Sequence, residues 1–169
     1  MKETSEHLDL KEPKPQDYSL VKSIWEDEAT MAAVGGIWPL SYDDYKRWYE
    51  EIIVNGRKQH RYYLIMLGDK CVGEVSFHRY NPEQKTAELN IKVKYNWRHQ
   101  GIGHWALLYL LDIFFNEWNG EAMLDLVRKD NTGSHRMLEA CGFEKIRSGH
   151  DEILYRLNRK DYKYYPKSE

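Results

Sequence analysis

The sequence predicts an α+β domain in which about four helices flank a mixed, mostly antiparallel sheet. Three observations carry this. Strand-like segments at Arg61 to Leu67, Cys71 to Tyr80 and Thr86 to Tyr95 follow one another across the short turns Gly68-Asp69 and Asn81-Pro82, as antiparallel neighbours do. An apolar helix follows Gly103. Strands and helices never settle into the repeating βαβ alternation of a parallel sheet. The order reads strand, two helices, three strands, helix, strand, helix, two strands. No repeat or linker divides it, so residues 1–169 are expected to form one domain.

Each element has a local cause. His7 to Lys11 alternates weakly and stops before Pro13 and Pro15, which suits a first strand. Leu20, Val21 and Ile24 predict a helix between Gln16 and Glu28 that Asp17 would cap. Ala32 to Leu40 holds Gly35, Gly36 and Pro39 and reads as irregular. Ser41 opens a helix with Asp43 and Asp44 in its first turn and Trp48, Ile52 and Ile53 facing inward; Asn55-Gly56 ends it. In Thr86 to Tyr95, Ala87, Leu89, Ile91 and Val93 share one face, and Glu88, Asn90, Lys92 and Lys94 the other.

The helix after Gly103 is apolar nearly all round, which predicts burial against the sheet. Ala122 to Val127 is rich enough in Leu and Val to be a central strand. Asn131 starts a helix that stops at Cys141-Gly142, and Phe143 to Arg147 and Asp151 to Leu157 are two closing strands. The last ten or so residues, with Lys160, Lys163, Lys167 and three tyrosines, are expected to form a flexible, solvated tail; contact with RNA is the other reading of a basic, aromatic end.

Bulk properties narrow the function. A chain of 169 residues buries about two-thirds of its unfolded surface in a single core. A net charge of −2 gives no electrostatic reason to expect nucleic acid. The start, Met-Lys-Glu-Thr-Ser-Glu-His, lacks the apolar stretch of a signal peptide, and Trp105 to Phe115 is too short to span a membrane and contains Asp112. Cys71 and Cys141 show no paired spacing and read as reduced thiols, and no spacing among the seven histidines suggests a metal site. The expectation is a cytoplasmic protein without membrane, nucleic-acid or metal partners.

Residues 97 to 104 read Trp-Arg-His-Gln-Gly-Ile-Gly-His, where the alternating strand meets the apolar helix. Two glycines one residue apart at a helix start let backbone lie close to an anion, which free N–H groups and the helix dipole then hold. Alone, the pair is an ordinary turn more often than a site. Its flanks add Arg98-x-x-Gly101-x-Gly103 after the strand, then Asn131-x-x-Ser134 about thirty residues on, and Cys141-Gly142-Phe143.

This combination resembles the GCN5-related N-acetyltransferase (GNAT) superfamily, over the chain from its first strand to about Leu157. The Asn131-x-x-Ser134 motif and the Ala87-Glu88-Leu89 strand look most like the branch that acetylates ribosomal-protein N-termini, polyamines and aminoglycosides. The resemblance implies acetyl-CoA as co-substrate. Its pyrophosphate would lie on backbone amides of His99, Gln100, Gly101, Ile102, Gly103 and His104, with the two histidines contributing backbone rather than imidazole. Its pantetheine arm would pair like an added strand with Ile91 to Val93, bringing the Val93 amide near the thioester carbonyl. Asn131 would bond the pantetheine or simply cap its helix, and Arg98 would contact phosphate or form a surface ion pair.

Catalysis needs a neutral amine, and an alkylammonium ionises only at a pKa of about 10, so something must take its proton. Glu88 is the first candidate, with a structural hydrogen-bonding role as its alternative; Glu74 and His78 are weaker ones. The family's proton-donating tyrosine, seven residues after the motif asparagine, is Leu138 here. Ser134, another tyrosine, or an unassisted thiolate would replace it. The segment Trp25 to Leu40 would shape the acceptor groove; its Glu26-Asp27-Glu28 run would attract a polycation, or be a solvated helix end. The expected acceptor is a small-molecule amine or a protein N-terminus, with a homodimer left open. Leu138 also admits a catalytically impaired acyl-CoA sensor. A nucleotide-binding oxidoreductase is disfavoured by the missing third glycine and the antiparallel strands.

Overall fold

In the structure, a computed structural model that describes residues 7–163, seven strands form one sheet. They are β1 (Leu8–Lys11), β2 (Arg61–Leu67), β3 (Lys70–Asn81), β4 (Thr86–Val93), β5 (Ala122–Arg128), β6 (Glu144–Ser148) and β7 (Glu152–Asn158), ordered β1-β2-β3-β4-β5-β7-β6. Every neighbouring pair is antiparallel except β4 and β5. Among the described residues there are five α-helices, α1 (Tyr18–Trp25), α2 (Glu28–Met31), α3 (Tyr42–Trp48), α4 (Ile102–Asp112) and α5 (Thr132–Ala140). The α+β, mostly antiparallel architecture expected from the sequence is the one observed.

The helices cover the two faces differently. One face of β3 and β4 supplies Val75, Phe77, Ala87 and Leu89 to a core completed by α4 and α5. The opposite face supplies Tyr62 and Leu64 of β2 to a core completed by Val21 and Ile24 of α1 and Tyr45 of α3. Alternation along each strand explains the division, because successive side chains take opposite faces. β5 is internal, as its composition suggests, yet its outer face stays open: Leu126 is 55% exposed, as is Ile146 of β6 at 53%.

Several local expectations change. The helix predicted from Gln16 to Glu28 is two, because Asp27 is extended (ψ 106°) and starts α2. Asp17 precedes α1 without capping it; its carboxylate instead accepts bonds from the Lys14 N–H (2.8 Å) and from Lys11 Nζ (3.1 Å). Ser41 does cap α3, its Oγ accepting from the Asp44 N–H at 3.1 Å. α4 is not buried all round: Tyr109 packs at a tilt against Trp105 and is 39% exposed. Tyr162 is buried and stacks on Phe115 at 4.9 Å, so packing continues beyond residue 160. The rest of the predicted tail, from residue 164, lies outside the described residues.

Candidate active site

The parallel contact of β4 with β5 is short. It pairs Thr86 with Ala122, Ala87 with Met123 and Glu88 with Leu124, then stops, although both strands run on. The strands therefore part, and the edge of β4 beyond Glu88 is left facing an opening. A residue's N–H and C=O point to the same edge of a strand. The Val93 carbonyl is met by Arg98 Nε (3.0 Å) rather than by β3, so residues 91 and 93 present their backbone to that opening.

α4 begins at the mouth of the opening. Gly101 precedes it with φ +78°, a left-handed conformation that a side chain disfavours, and no atom lies within 4 Å of where its Cβ would be. Glycine is needed there for conformation, not for space. Gly103 has the opposite reason: a Cβ would lie 3.1 Å from Met137 Sδ and 3.3 Å from Val93 Cγ2, so glycine lets α4 approach β4 and α5. The first N–H groups of α4 have no partners within the helix. Together these elements wall a cavity of about 480 Å³ between β4, α4, α5 and the segment after α2.

Of the residues expected to bind the co-substrate, Ile91, Val93, Arg98, His99, Gly101, Ile102, Gly103, His104 and Asn131 all line this cavity, and Ser134 does too. Gln100 is not among its lining residues. Asn131 also caps α5, its Oδ1 accepting from the Ser134 N–H at 3.3 Å. Arg98 has structural work: besides the Val93 carbonyl, its Nη2 donates to the Thr30 carbonyl (3.0 Å), and the guanidinium lies over Tyr95. It thereby ties the mouth of the cavity to α2. Leu138, standing where the resemblance expects a tyrosine, is fully buried in the core.

A second cavity, about 430 Å³, lies on the opposite face of β3 and β4 under α1 and α3. Lys92 lines both cavities, so they abut across β4. Trp25 and Trp48 meet edge to face at 5.3 Å, and Trp48 meets Tyr62 at 4.9 Å. At the cavity wall Glu74 is 1% exposed. It accepts hydrogen bonds from Trp25 Nε1 (2.9 Å), Tyr62 Oη, Lys92 Nζ (2.9 Å) and Asn90 Nδ2 (3.5 Å). Burial and this carboxylate hold the Tyr62 phenol well above its ordinary pKa.

Glu88 lines neither cavity; its Oε2 lies 3.3 Å from His78 Nε2 and 3.6 Å from Arg79 Nη1. His78 and His60 both line the second cavity, and burial lowers the pKa of each. Two carboxylates of the acidic run are engaged locally, Glu26 pairing with Lys22 and Asp27 accepting from the Thr30 hydroxyl, while Glu28 is exposed. Sequence reasoning missed two features. One is the box of Trp25, Trp48 and Tyr62, which draws on three elements. The other is Asp125, one residue past the last parallel pair, whose carboxyl burial pushes up to about 7. An aspartate inside the run Ala122-Met-Leu-Asp-Leu-Val was the available signal for it.

Comparison with solved structures shows the same fold. A spermidine N-acetyltransferase from Vibrio cholerae, in complex with CoA and spermine, superposes with a TM-score of 0.81 at 17% identity, covering 92% of this chain and 97% of that one. A ribosomal-protein alpha-N-acetyltransferase, RimL, in complex with coenzyme A, gives 0.78 at 18% identity, covering 89% and 93%. No curated protein matches the sequence. The family model of the acetyltransferase (GNAT) domain matches residues 7–144. That stretch holds the parted strands, the glycine-led α4 and the Asn131-capped α5, and on this match the chain belongs to the GNAT family of acetyltransferases.

Proposed function

We propose that this protein transfers an acetyl group from acetyl-CoA to a primary amine, carried by a polyamine or aminoglycoside-like molecule or by a protein N-terminus. The observation that carries the reading is the free edge of β4 at Ile91 and Val93, opening beside the glycine-led start of α4. Amides from His99 to His104 suit a pyrophosphate, and the β4 edge suits a chain of amides such as pantetheine. The co-substrate supplies an activated acyl carbon. The Val93 N–H stands at the edge where charge would develop on the thioester oxygen. The amine attacks, a C–N bond forms, the C–S bond breaks, and the sulfur receives a proton. With Leu138 buried in the core, Ser134 is the hydroxyl we assign to that proton transfer.

The spermidine- and ribosomal-protein-acetylating neighbours support an amine acceptor of either kind. On the sequence's grounds we also place the protein in the cytoplasm, acting without metal, nucleic acid or membrane, with a homodimer as its candidate assembly. The test is thiol release from acetyl-CoA across spermidine, aminoglycosides, amino acids and N-terminal ribosomal-protein peptides, beside calorimetric binding of coenzyme A. Binding with turnover of at least one amine is expected. Binding with no thiol released from any amine means an acyl-CoA sensor instead, the alternative that a leucine at 138 admits.

A further inference from the structure

We propose that His78 is the base that takes the acceptor's proton, and that Glu88 is its positioning residue. The inference rests on the acetyltransferase reading and names the group that prepares the amine. Five side chains able to take a proton stand at or beside the second cavity, and their surroundings separate them. Glu51, after α3, is solvent-exposed and its charge acts on His60. Glu74 is enclosed by four donors, from Trp25, Tyr62, Lys92 and Asn90, and is 1% exposed, so it offers no free acceptor site to an incoming amine. His60 Nδ1 accepts the Arg79 backbone N–H at 3.3 Å, which commits the lone pair of its neutral ring. Glu88 lines neither cavity and is held between His78 and Arg79.

His78 differs from all four. It lines the cavity, its side chain is 35% exposed, and its Nε2 lies 3.3 Å from Glu88 Oε2. That contact favours the tautomer with its proton on Nε2 and the lone pair on Nδ1. Among the described residues nothing bonds Nδ1. The position also suits the reaction. His78 pairs with Glu88 across β3 and β4, and Glu88 with Leu124 in the last parallel pair before β4 and β5 part. The base thus stands at the apex of the opening, three residues from Ile91, which is about 10 Å along a strand. The reach of the His78 side chain and one bridging water close that gap to the acceptor amine.

The surroundings set its charge state. Burial lowers the pKa of His78, and Arg79 beside it, His60 just before β2 with its ring 6.5 Å away, and Lys92 on β4 lower it further, while Glu88 raises it. His78 is therefore unprotonated, and able to accept, at neutral pH. A primary ammonium must lose two protons to become an amide. One leaves through His78 Nδ1 to solvent, and the other ends on the coenzyme A sulfur, while the C–N bond replaces C–S.

The test uses ethylamine and its mono-, di- and trifluorinated forms, whose ammonium ions grow steadily more acidic. His78→Gln should lower kcat/KM for ethylamine by roughly 10²- to 10⁴-fold. The loss should shrink to under about tenfold for trifluoroethylamine, which is already neutral at pH 7 and needs no base. Unchanged calorimetric binding of coenzyme A reports an intact fold. Removing the carboxylate in Glu88→Gln should move the acid limb of the kcat/KM profile to lower pH, since Glu88 raises the His78 pKa. An equal loss across the amine series, or an acid limb that Glu88→Gln leaves in place, overturns the assignment and leaves the acetyltransferase reading standing. A wild-type protein that releases no thiol with any amine overturns both.

Discussion

The two cavities that meet at Lys92 are similar in size, about 480 and 430 Å³, yet they are built from different material. The first is made largely of backbone: the free edge of β4, the first turn of α4 and the glycines at 101, 103 and 133. The second is made of side chains, two tryptophans, two histidines and two glutamates, brought together from α1, the end of α3, β2, β3 and β4. A backbone site recognises groups common to every acyl-CoA and tolerates change in its side chains. A side-chain site sets acceptor chemistry and depends on each group being satisfied. The donor side of the reaction should therefore be robust to polar substitution, and the acceptor side fragile.

Glu74→Ala should produce the largest break. It leaves Lys92, whose side chain is 14% exposed, without the carboxylate at 2.9 Å, and orphans the Tyr62 hydroxyl and the Trp25 N–H. Removing one partner of a buried ion pair destabilises by about 3–5 kcal/mol. Urea denaturation should show that loss, while the surviving folded fraction binds coenzyme A within about twofold of wild type, a change of under ~1 kcal/mol. A stable variant with weakened coenzyme A binding would mean that the two sites are not separable in this way.

Asp125, at the seam, has a smaller and pH-dependent effect. With its carboxyl raised to about 7 from an ordinary 3.8, the folded protein holds a proton between those values that the unfolded chain has released. Stability then falls as pH rises from about 4 to about 7 and levels off above. A shift of that size would be worth at most ~4 kcal/mol, and the partial solvent exposure of Asp125 screens it to roughly half. Asp125→Asn should therefore remove that fall and be more stable than wild type by ~2 kcal/mol at pH 8, with little difference at pH 4. Urea midpoints at the two pH values decide it; parallel curves would show that Asp125 ionises freely in the folded protein.

The same contrast explains what could be read from the chain. Gly101, Asn131 and Ser41 do their work within one or two turns of their own position, so the cleft and its helix starts were legible in short motifs; Gly103 was legible as part of its motif, but the contacts it spares, with Val93 and Met137, were not. So was the strand order's antiparallel half, which short turns impose. Glu74 read as a weaker candidate base, and its burial was hidden because it is decided by Trp25 and Tyr62, 49 and 12 residues away. Arg98 read as a phosphate ligand or a surface ion pair, and its two carbonyl bonds, one to Thr30 68 residues away, depend on where α2 packs. The break at Asp27 was hidden for a similar reason. Helical spacing continues through it, and only the Thr30 hydroxyl bond and the turn into α2 show that the backbone changes direction.

The smallest effect tests whether the first site is a matter of conformation alone. At Gly101 a methyl group meets nothing within 4 Å, so any cost of Gly101→Ala comes from holding a side chain at φ +78°. That cost is about 1 kcal/mol for alanine. Asparagine tolerates the left-handed region better, so Gly101→Asn should lose about half as much, ~0.5 kcal/mol, although its side chain is larger. Coenzyme A affinity should follow the same rank, glycine above asparagine above alanine, because the conformation that strains the backbone is the one that presents the α4 amides. The reverse order, with the bulkier asparagine worse than alanine in both measurements, would mean that space and not backbone geometry selects glycine. The donor site would then depend on side-chain fit as the acceptor site does.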